Sequence, residues 1–204
     1  AEELGMPVRP PPAGAEDVPR TAEPEMDAAL SMANTRKDAI AGRKIALLVA
    51  NNVDGAAVEE MRKALEAEGA ATRLIAPRSG EITTSQGKTL KVDHSLPTIG
   101  SVLFDAVFVP GGQGSADTLC ANAHAVLFVK EAYKHGKAIG ASGEGVMLIA
   151  KAARSAGTPN GEFAGPGVIV THEKTISGTY VQDFIAGVAA HRFPERSDLD
   201  GIIA

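Results

Sequence analysis

Cysteine, tryptophan and tyrosine are scarce in this 204-residue sequence, which contains one Cys, no Trp, two Tyr and six Phe. A single cysteine cannot form an internal disulfide, so this is not a disulfide-stabilised secreted scaffold, and a reducing compartment is expected. So few aromatic side chains argue against a base-stacking surface for nucleic acid. We therefore expect a cytoplasmic protein whose core is built from aliphatic residues.

Excess positive charge and long apolar runs are missing too. The formal net charge is −5, which argues against a nucleic-acid partner because phosphate binding needs clustered Lys and Arg. No apolar run approaches the ~20 residues that span a bilayer, so no membrane partner is expected. The opening "AEELGMPVRPPPAG" has neither a basic leader nor an apolar signal core, and we interpret the chain as cut from a longer cytoplasmic protein.

Proline divides the chain into two predicted regions. Six of the twelve prolines lie within the first 24 positions, and the stretch "RPPPAGAEDVPRTAEPE" is too rich in proline and charge to pack. We predict that residues 1–43 form an extended tether that follows an upstream domain. Residues 44–204, which are richer in apolar residues, are predicted to form one folded domain.

Strand and helix patterns alternate through residues 44–204. Near-continuous apolar runs at 44–51 and 105–112 are typical of strands buried on both faces, and 167–172 is predicted as the last central strand. Amphipathic helical patterns separate these runs, and a small hairpin is predicted around "SQG" (85–87). The alternation predicts an α/β fold: a flavodoxin-like three-layer sandwich with a mainly parallel central sheet and helices on both faces.

Ligands of such folds bind at the carboxyl ends of the strands, where two Gly-rich loops are predicted. In "PGGQGSAD" (110–117), the backbone amides of Gly111 and Gly112 are candidates for binding an anion or for half of an oxyanion hole. The alternative is that these glycines only permit a tight turn. The loop is not a phosphate-binding P-loop, because no Gly-Lys-Ser/Thr follows it.

The stretch "KAIGASGEGVMLIAKAA" has the strand–turn–helix layout of a nucleophile elbow. Ser142 is the candidate nucleophile and His172, at a predicted strand end, the candidate base. Glu144 stands where that motif has its second glycine, and it is interpreted as stabilised by a helix start. Cys120 is either a small packing residue or a reactive thiol. No Cys, His or carboxylate spacing predicts a metal site.

From about residue 43 onward, "VPGG" and the elbow-like "ASGEG" resemble the class I glutamine amidotransferase-like superfamily, which includes PfpI-type proteases and related glyoxalases. Aligned with that family, "HGKAIGASGEGVML" places Gly143 where the nucleophilic Cys stands. The family's supporting Glu falls on Ala57. The resemblance therefore implies a hydrolase fold from which both catalytic residues are missing.

Over nearly its whole length, the chain also resembles the C-terminal domain of the large-subunit, hydroperoxidase-type haem catalases. The similar stretches are "ALSMANT", "GRKIALLVAN", "GAAVEEMRKALEAEGA", "IAPRSGEI", "HSLPTIGSVLFDAVFVPGG" and "FIAGVAAHRF". This resemblance implies a non-catalytic accessory domain that stabilises the folded tetramer and assists substrate access. The parent reaction would be the disproportionation of hydrogen peroxide, and the partners would be the upstream core and sister subunits of a homotetramer.

The same resemblance implies that haem is bound in the upstream core and that no cofactor is bound in this chain. In that family the haem-ligating Tyr has an Arg one helical turn earlier, whereas Tyr133 and Tyr180 have Val129 and Ile176 four residues before them. The chain alone is therefore expected to be inactive. The alternatives are a stand-alone hydrolase or glyoxalase that uses Ser142 or Cys120, a chaperone-like module, and a flavin-binding module.

Overall fold

Eight strands and five α-helices alternate along residues 37–158 and 161–196, the parts of the chain that the computed structural model describes. The strands are β1 (Lys44–Leu48), β2 (Ala71–Ala76), β3 (Glu81–Thr83), β4 (Thr89–Lys91), β5 (His94–Ser95), β6 (Ala106–Val109), β7 (Ala138–Ser142) and β8 (Val168–Thr171). The helices are α1 (Gly55–Ala67), α2 (Gln113–Cys120), α3 (Ala123–Lys134), α4 (Val146–Ala156) and α5 (Gly178–Ala190). The described residues belong to one compact unit, and the first 36 positions of the predicted tether lie outside them.

Six of the strands form one sheet in the order β5-β2-β1-β6-β7-β8, and every neighbouring pair is parallel. Connections between parallel strands must cross over a face of the sheet, which is where the helices lie. The predicted α/β class with a mainly parallel sheet is confirmed. One detail was wrong: β8, expected to be central, is an edge strand whose Val170 is 42% exposed.

Two apolar clusters cover the two faces of the sheet, which confirms the three layers. Alternating strand residues point to opposite faces, so Leu47 packs on the side of α1 and α5 and Leu48 on the side of α2, α3 and α4. Met61 and Phe184 fill the first cluster, and Leu148 belongs to the second. Burying each such side chain stabilises the fold by about 1.5–3 kcal/mol.

Capping residues fix where the helices begin and end. The Asp54 side chain accepts hydrogen bonds from the amides of Ala56 and Ala57 at 3.0 and 3.4 Å, which starts α1 directly after the β1 loop. Gly157 ends α4 in the left-handed conformation at φ 74°. The hairpin predicted around "SQG" is formed by β3 and β4, with Thr83 opposite Thr89.

Candidate functional site

Four loops meet at the carboxyl edge of the sheet. The amide of Asp54, after β1, donates to the carbonyl of Gly111, after β6, at 2.8 Å. The amide of Gly143, after β7, donates to the carbonyl of Glu173, after β8, at 3.1 Å. Parallel strands bring their carboxyl ends to one edge, so these contacts follow from the topology. The loops named from the sequence are therefore neighbours in space.

The turn after β7 has the backbone of an elbow without a reactive side chain. Gly143 has φ +51°, in the left-handed region that favours glycine. A Cβ at Gly143 would lie 3.5 Å from the nearest atom, the Cα of Gly111, so there is room for a side chain that the sequence does not supply. The 3₁₀ turn Gly143–Gly145 then leads into α4.

The Glu144 carboxylate lies against the Gly-rich turn after β6. One carboxylate oxygen accepts a hydrogen bond from the amide of Gly112 at 2.9 Å, and the other lies 3.6 Å from the Nζ of Lys174. The Gly112 amide is the main cause of a lowered pKa of Glu144, with Lys174 a lesser one. The amide predicted to bind an anion therefore already holds a carboxylate of the chain itself. The sequence suggested a charge at a helix start, but its partner lies 32 residues away.

Ser142 is not placed as a nucleophile. Its side chain is fully buried, and its hydroxyl has no hydrogen-bond partner among the described residues. The alternation along β7 puts Ser142 on the same face as Gly140, which packs against Phe184. His172 is exposed at the end of β8. The structure does not bring these two side chains together.

A groove of about 570 Å³ does collect three other sequence candidates, Cys120, Gly143 and His172. It runs along α4, and its remaining lining residues are Glu144, Val146, Met147, Ala150, Lys151 and Arg154. Cys120 is half-buried, and burial, reinforced by the charge of Asp117, raises the pKa of its thiol. Since the thiolate is the reactive form, Cys120 is a weak nucleophile at neutral pH. Ala57, in the first turn of α1, places no carboxylate near the elbow.

Neither tyrosine of the chain fits a haem ligand. The Tyr133 hydroxyl donates to the carbonyl of Ala164 at 2.8 Å, and its ring stacks on Phe163 with 3.9 Å between centroids. The Tyr180 hydroxyl donates to two carbonyls, and burial raises its pKa. Within the described ranges, no group of three or more His, Cys, Asp or Glu side chains could hold a metal ion. No helix in these same ranges has the length and apolarity to cross a membrane.

The fold is similar to that of DJ-1/ThiJ/PfpI-like domains of known structure. A two-domain protein from Anabaena variabilis with DJ-1/ThiJ/PfpI-like and ferritin-like domains is 24% identical, with a TM-score of 0.52 over 54% of this chain and 32% of that one. This likeness concerns the fold. Residues 41–198 match the family described as the C-terminal domain found in long catalases. The chain belongs to that family.

Two curated relatives agree with this assignment. Catalase HPII of Mycobacterium avium is 35% identical over 96% of this chain, which spans 28% of that protein. Catalase HPII of Pseudomonas putida is 40% identical over 68% of this chain and 19% of that protein. The chain thus spans less than a third of either relative.

Proposed function

We propose that this chain is the non-catalytic C-terminal accessory domain of a large-subunit haem catalase. Its role is to pack against the upstream core and the sister subunits, which stabilises the homotetramer and shapes the access of hydrogen peroxide. Haem and the reacting groups belong to the core. A stand-alone role of the 204 residues as a peroxide-decomposing enzyme finds no support in Tyr133 or Tyr180, whose hydroxyls are engaged by backbone carbonyls.

The observation that carries this proposal is the elbow without a nucleophile. Gly143, which is buried, occupies the turn position after β7, and the Glu144 carboxylate fills the neighbouring amide site at Gly112. An acyl-transfer enzyme needs a nucleophile beside free oxyanion donors. Here the same backbone serves to join three loops of the fold, which suits a domain retained for packing.

The test is to remove residues 44–204 from the full-length catalase. We expect peroxide turnover per haem at saturating peroxide to stay the same at room temperature. The half-life at an inactivating temperature should fall about tenfold or more, because irreversible inactivation follows the unfolding barrier. Tetramer mass after dilution and the KM for peroxide separate a stabilising role from an access role. An unchanged half-life, tetramer and KM would overturn the proposal.

The stand-alone hydrolase or glyoxalase is disfavoured by the same geometry. The Ser142 hydroxyl is buried without a base, and the raised pKa of Cys120 keeps its thiol protonated. Ester hydrolysis or methylglyoxal turnover that is lost in Ser142→Ala or in Cys120→Ala, but retained in the surface variant Thr118→Ala, would restore this alternative.

A further inference from the structure

The segment 95–104, "SLPTIGSVLF", has an unusual surface. It contains no charged residue, yet Val102 is 79% exposed and Leu103 is 58% exposed. These are the two highest exposures among the large hydrophobic side chains of the described residues. The centres of protein interfaces are depleted in charge and enriched in apolar contact area. Two adjacent exposed aliphatic side chains on an uncharged segment therefore indicate a contact surface.

This exposure belongs to an ordered turn. Val102 and Leu103 lie on the 3₁₀ turn Ser101–Leu103. The turn is anchored by Phe104, whose ring lies 5.9 Å from that of Phe128 on α3. The buried ammonium group of Lys137 donates to the carbonyl of Ser101. A turn fixed by an aromatic pair and a buried donor presents its apolar side chains at little further cost in conformational entropy.

The turn lies at the amino edge of the sheet, opposite the candidate site. It directly precedes β6, and two hydrogen bonds join Asp105 to Lys44. The Asp105 amide donates to the Lys44 carbonyl at 2.8 Å, and the Lys44 amide donates to the Asp105 carboxylate at 2.9 Å. Lys44 is the first residue of β1, so the turn lies beside the point where the polypeptide enters the sheet. Leu127, 44% exposed, is a third exposed apolar side chain and lies on α3, the helix that supplies Phe128 to the aromatic pair.

We propose that the turn of Val102 and Leu103, together with Leu127, is the surface on which this domain docks onto the catalase core that precedes it in long catalases. The inference rests on the proposed function. The family is a C-terminal domain, and the chain spans 28% of the Mycobacterium avium relative, so most of such a protein precedes it. The turn lies beside the start of β1, the end of the domain at which the polypeptide enters from the residues that precede it.

Hydrogen exchange in the native full-length protein tests whether the catalase core covers the turn of Val102 and Leu103. The amides of Val102 and Leu103 are expected to exchange about tenfold or more slowly in the full-length tetramer than in the isolated 204-residue chain. The amide of Val170, an exposed apolar residue on the edge strand β8, should exchange at the same rate in both. Equal exchange of Val102 and Leu103 overturns the inference. Protection that arises in the isolated chain together with a dimeric mass also overturns it, because the occupant is then a second copy.

Charge variants give the second readout. Val102→Glu with Leu103→Glu in the full-length catalase should shorten the thermal half-life nearly as much as removal of residues 44–204. In the isolated chain the same variant should unfold at an unchanged denaturant concentration, since both side chains are exposed there. The matched control is Met147→Glu, 42% exposed at the opposite edge. If removal of the domain shortens the half-life and the double variant does not, the docking surface is wrong and the proposed function stands. If removal has no effect, the proposed function itself fails.

Discussion

At the scale of single residues, the elbow contains two glycines that are favoured for different structural reasons, backbone conformation at Gly143 and lack of space at Gly145. Gly143 is left-handed, but a Cβ there would make only ordinary van der Waals contacts, the nearest at 3.5 Å, whereas a Cβ at Gly145 would lie 2.3 Å from the carbonyl oxygen of Val109 and 2.7 Å from that of Pro110. Gly143→Ala should lower the free energy of unfolding by about 1–2 kcal/mol, the strain of the left-handed backbone. Gly145→Ala should cost about 4 kcal/mol or more, or prevent folding, because backbone must move.

Guanidinium unfolding of the two variants side by side measures this difference. Equal losses would contradict it, since the turn would then tolerate a Cβ at both positions or at neither. The same comparison tests whether position 143 kept the room for a side chain. Gly143→Cys, with its thiol in the groove that His172 lines, is the direct way to learn whether the retained backbone can still present a nucleophile.

Glu144 gives a residue-scale prediction that depends on pH. Its pKa is lowered in the fold by the Gly112 amide and by Lys174, so its charged form stabilises the fold at neutral pH. At pH 7 the free energy of unfolding of the wild type should exceed that of Glu144→Gln by about 1 kcal/mol. This is the scale of a hydrogen bond to a charged group that is partly exposed. The group's contribution is complete above the unfolded pKa near 4.5 and is lost as pH falls through the lowered folded pKa.

Urea unfolding from about pH 7 to pH 3 follows this loss. The difference in free energy of unfolding between the wild type and Glu144→Gln should shrink toward zero at the lowest pH. Glu60→Gln, on the exposed part of α1, is the control and should show no such trend. A difference that stays constant with pH would mean that the Glu144 carboxylate does not accept the hydrogen bond from the Gly112 amide in solution.

At the scale of secondary-structure elements, the edge strand β8 depends on one hydroxyl. Tyr180 of α5 donates to the carbonyl of Ala141 in β7 at 2.9 Å and to that of Ile169 in β8 at 3.0 Å. Tyr180→Phe removes both bonds and should cost about 1–2 kcal/mol. Amide exchange should accelerate in β8 more than in the central strands, because an edge strand opens locally before the whole fold.

The control for Tyr180 is Tyr133→Phe. The Tyr133 hydroxyl also donates to a carbonyl, that of Ala164, but it lies on the other face of the sheet. Its loss should lower stability without accelerating exchange in β8 selectively. Similar exchange profiles in both variants would show that Tyr180 has no particular role in holding β8.

The sequence predicts the elements better than their arrangement. The helix α1 follows from Val58, Met61 and Leu65 at helical spacing, and the strands β1 and β6 from their apolar runs, because these signals are local. The two-residue strand β5 and the edge position of β8 are set by which neighbours approach. A short apolar run is the same in sequence whether a further strand covers it or not.

In the candidate site too, the sequence predicts local motifs but not the contacts between distant residues. The elbow and the Gly-rich turn are local motifs, and both were recognised. The contact of Glu144 with Gly112 joins residues 32 positions apart, and Arg196 donates to the carbonyls of Tyr133, Pro166 and Lys137 over 30 to 63 positions. No spacing rule indicates such pairs, since they exist only after the loops have met.

At the scale of the whole molecule, the two edges of the sheet hold different features. The carboxyl edge holds the elbow, the Glu144 contact and the groove with Cys120 and His172. The amino edge holds the Ser101–Leu103 turn beside the start of β1. A domain that docks through its amino edge, as proposed here, leaves the carboxyl edge free of that contact. A glycine at position 143, on the carboxyl edge, is therefore compatible with the proposed packing on the core through the amino edge.

The stability of the whole domain at alkaline pH should report on Lys137, the buried lysine that holds this amino edge. Burial, reinforced by Arg192 and opposed by Asp105 and Glu131, lowers the pKa of Lys137 from 10.5 to about 8. Below pH 8 both the folded and the unfolded chain carry the charge, and the fold bears the cost of burying it. Between pH 8 and 10.5 the unfolded chain binds more protons than the folded one, so this group makes stability rise with pH.

The free energy of unfolding of the wild type relative to Lys137→Met should therefore increase across this window in urea titrations, while the half-exposed Lys134→Met follows the wild type. A difference between wild type and Lys137→Met that does not change with pH would mean that the ammonium group reaches water in solution, and that the anchor beneath Ser101 is weaker than the structure indicates.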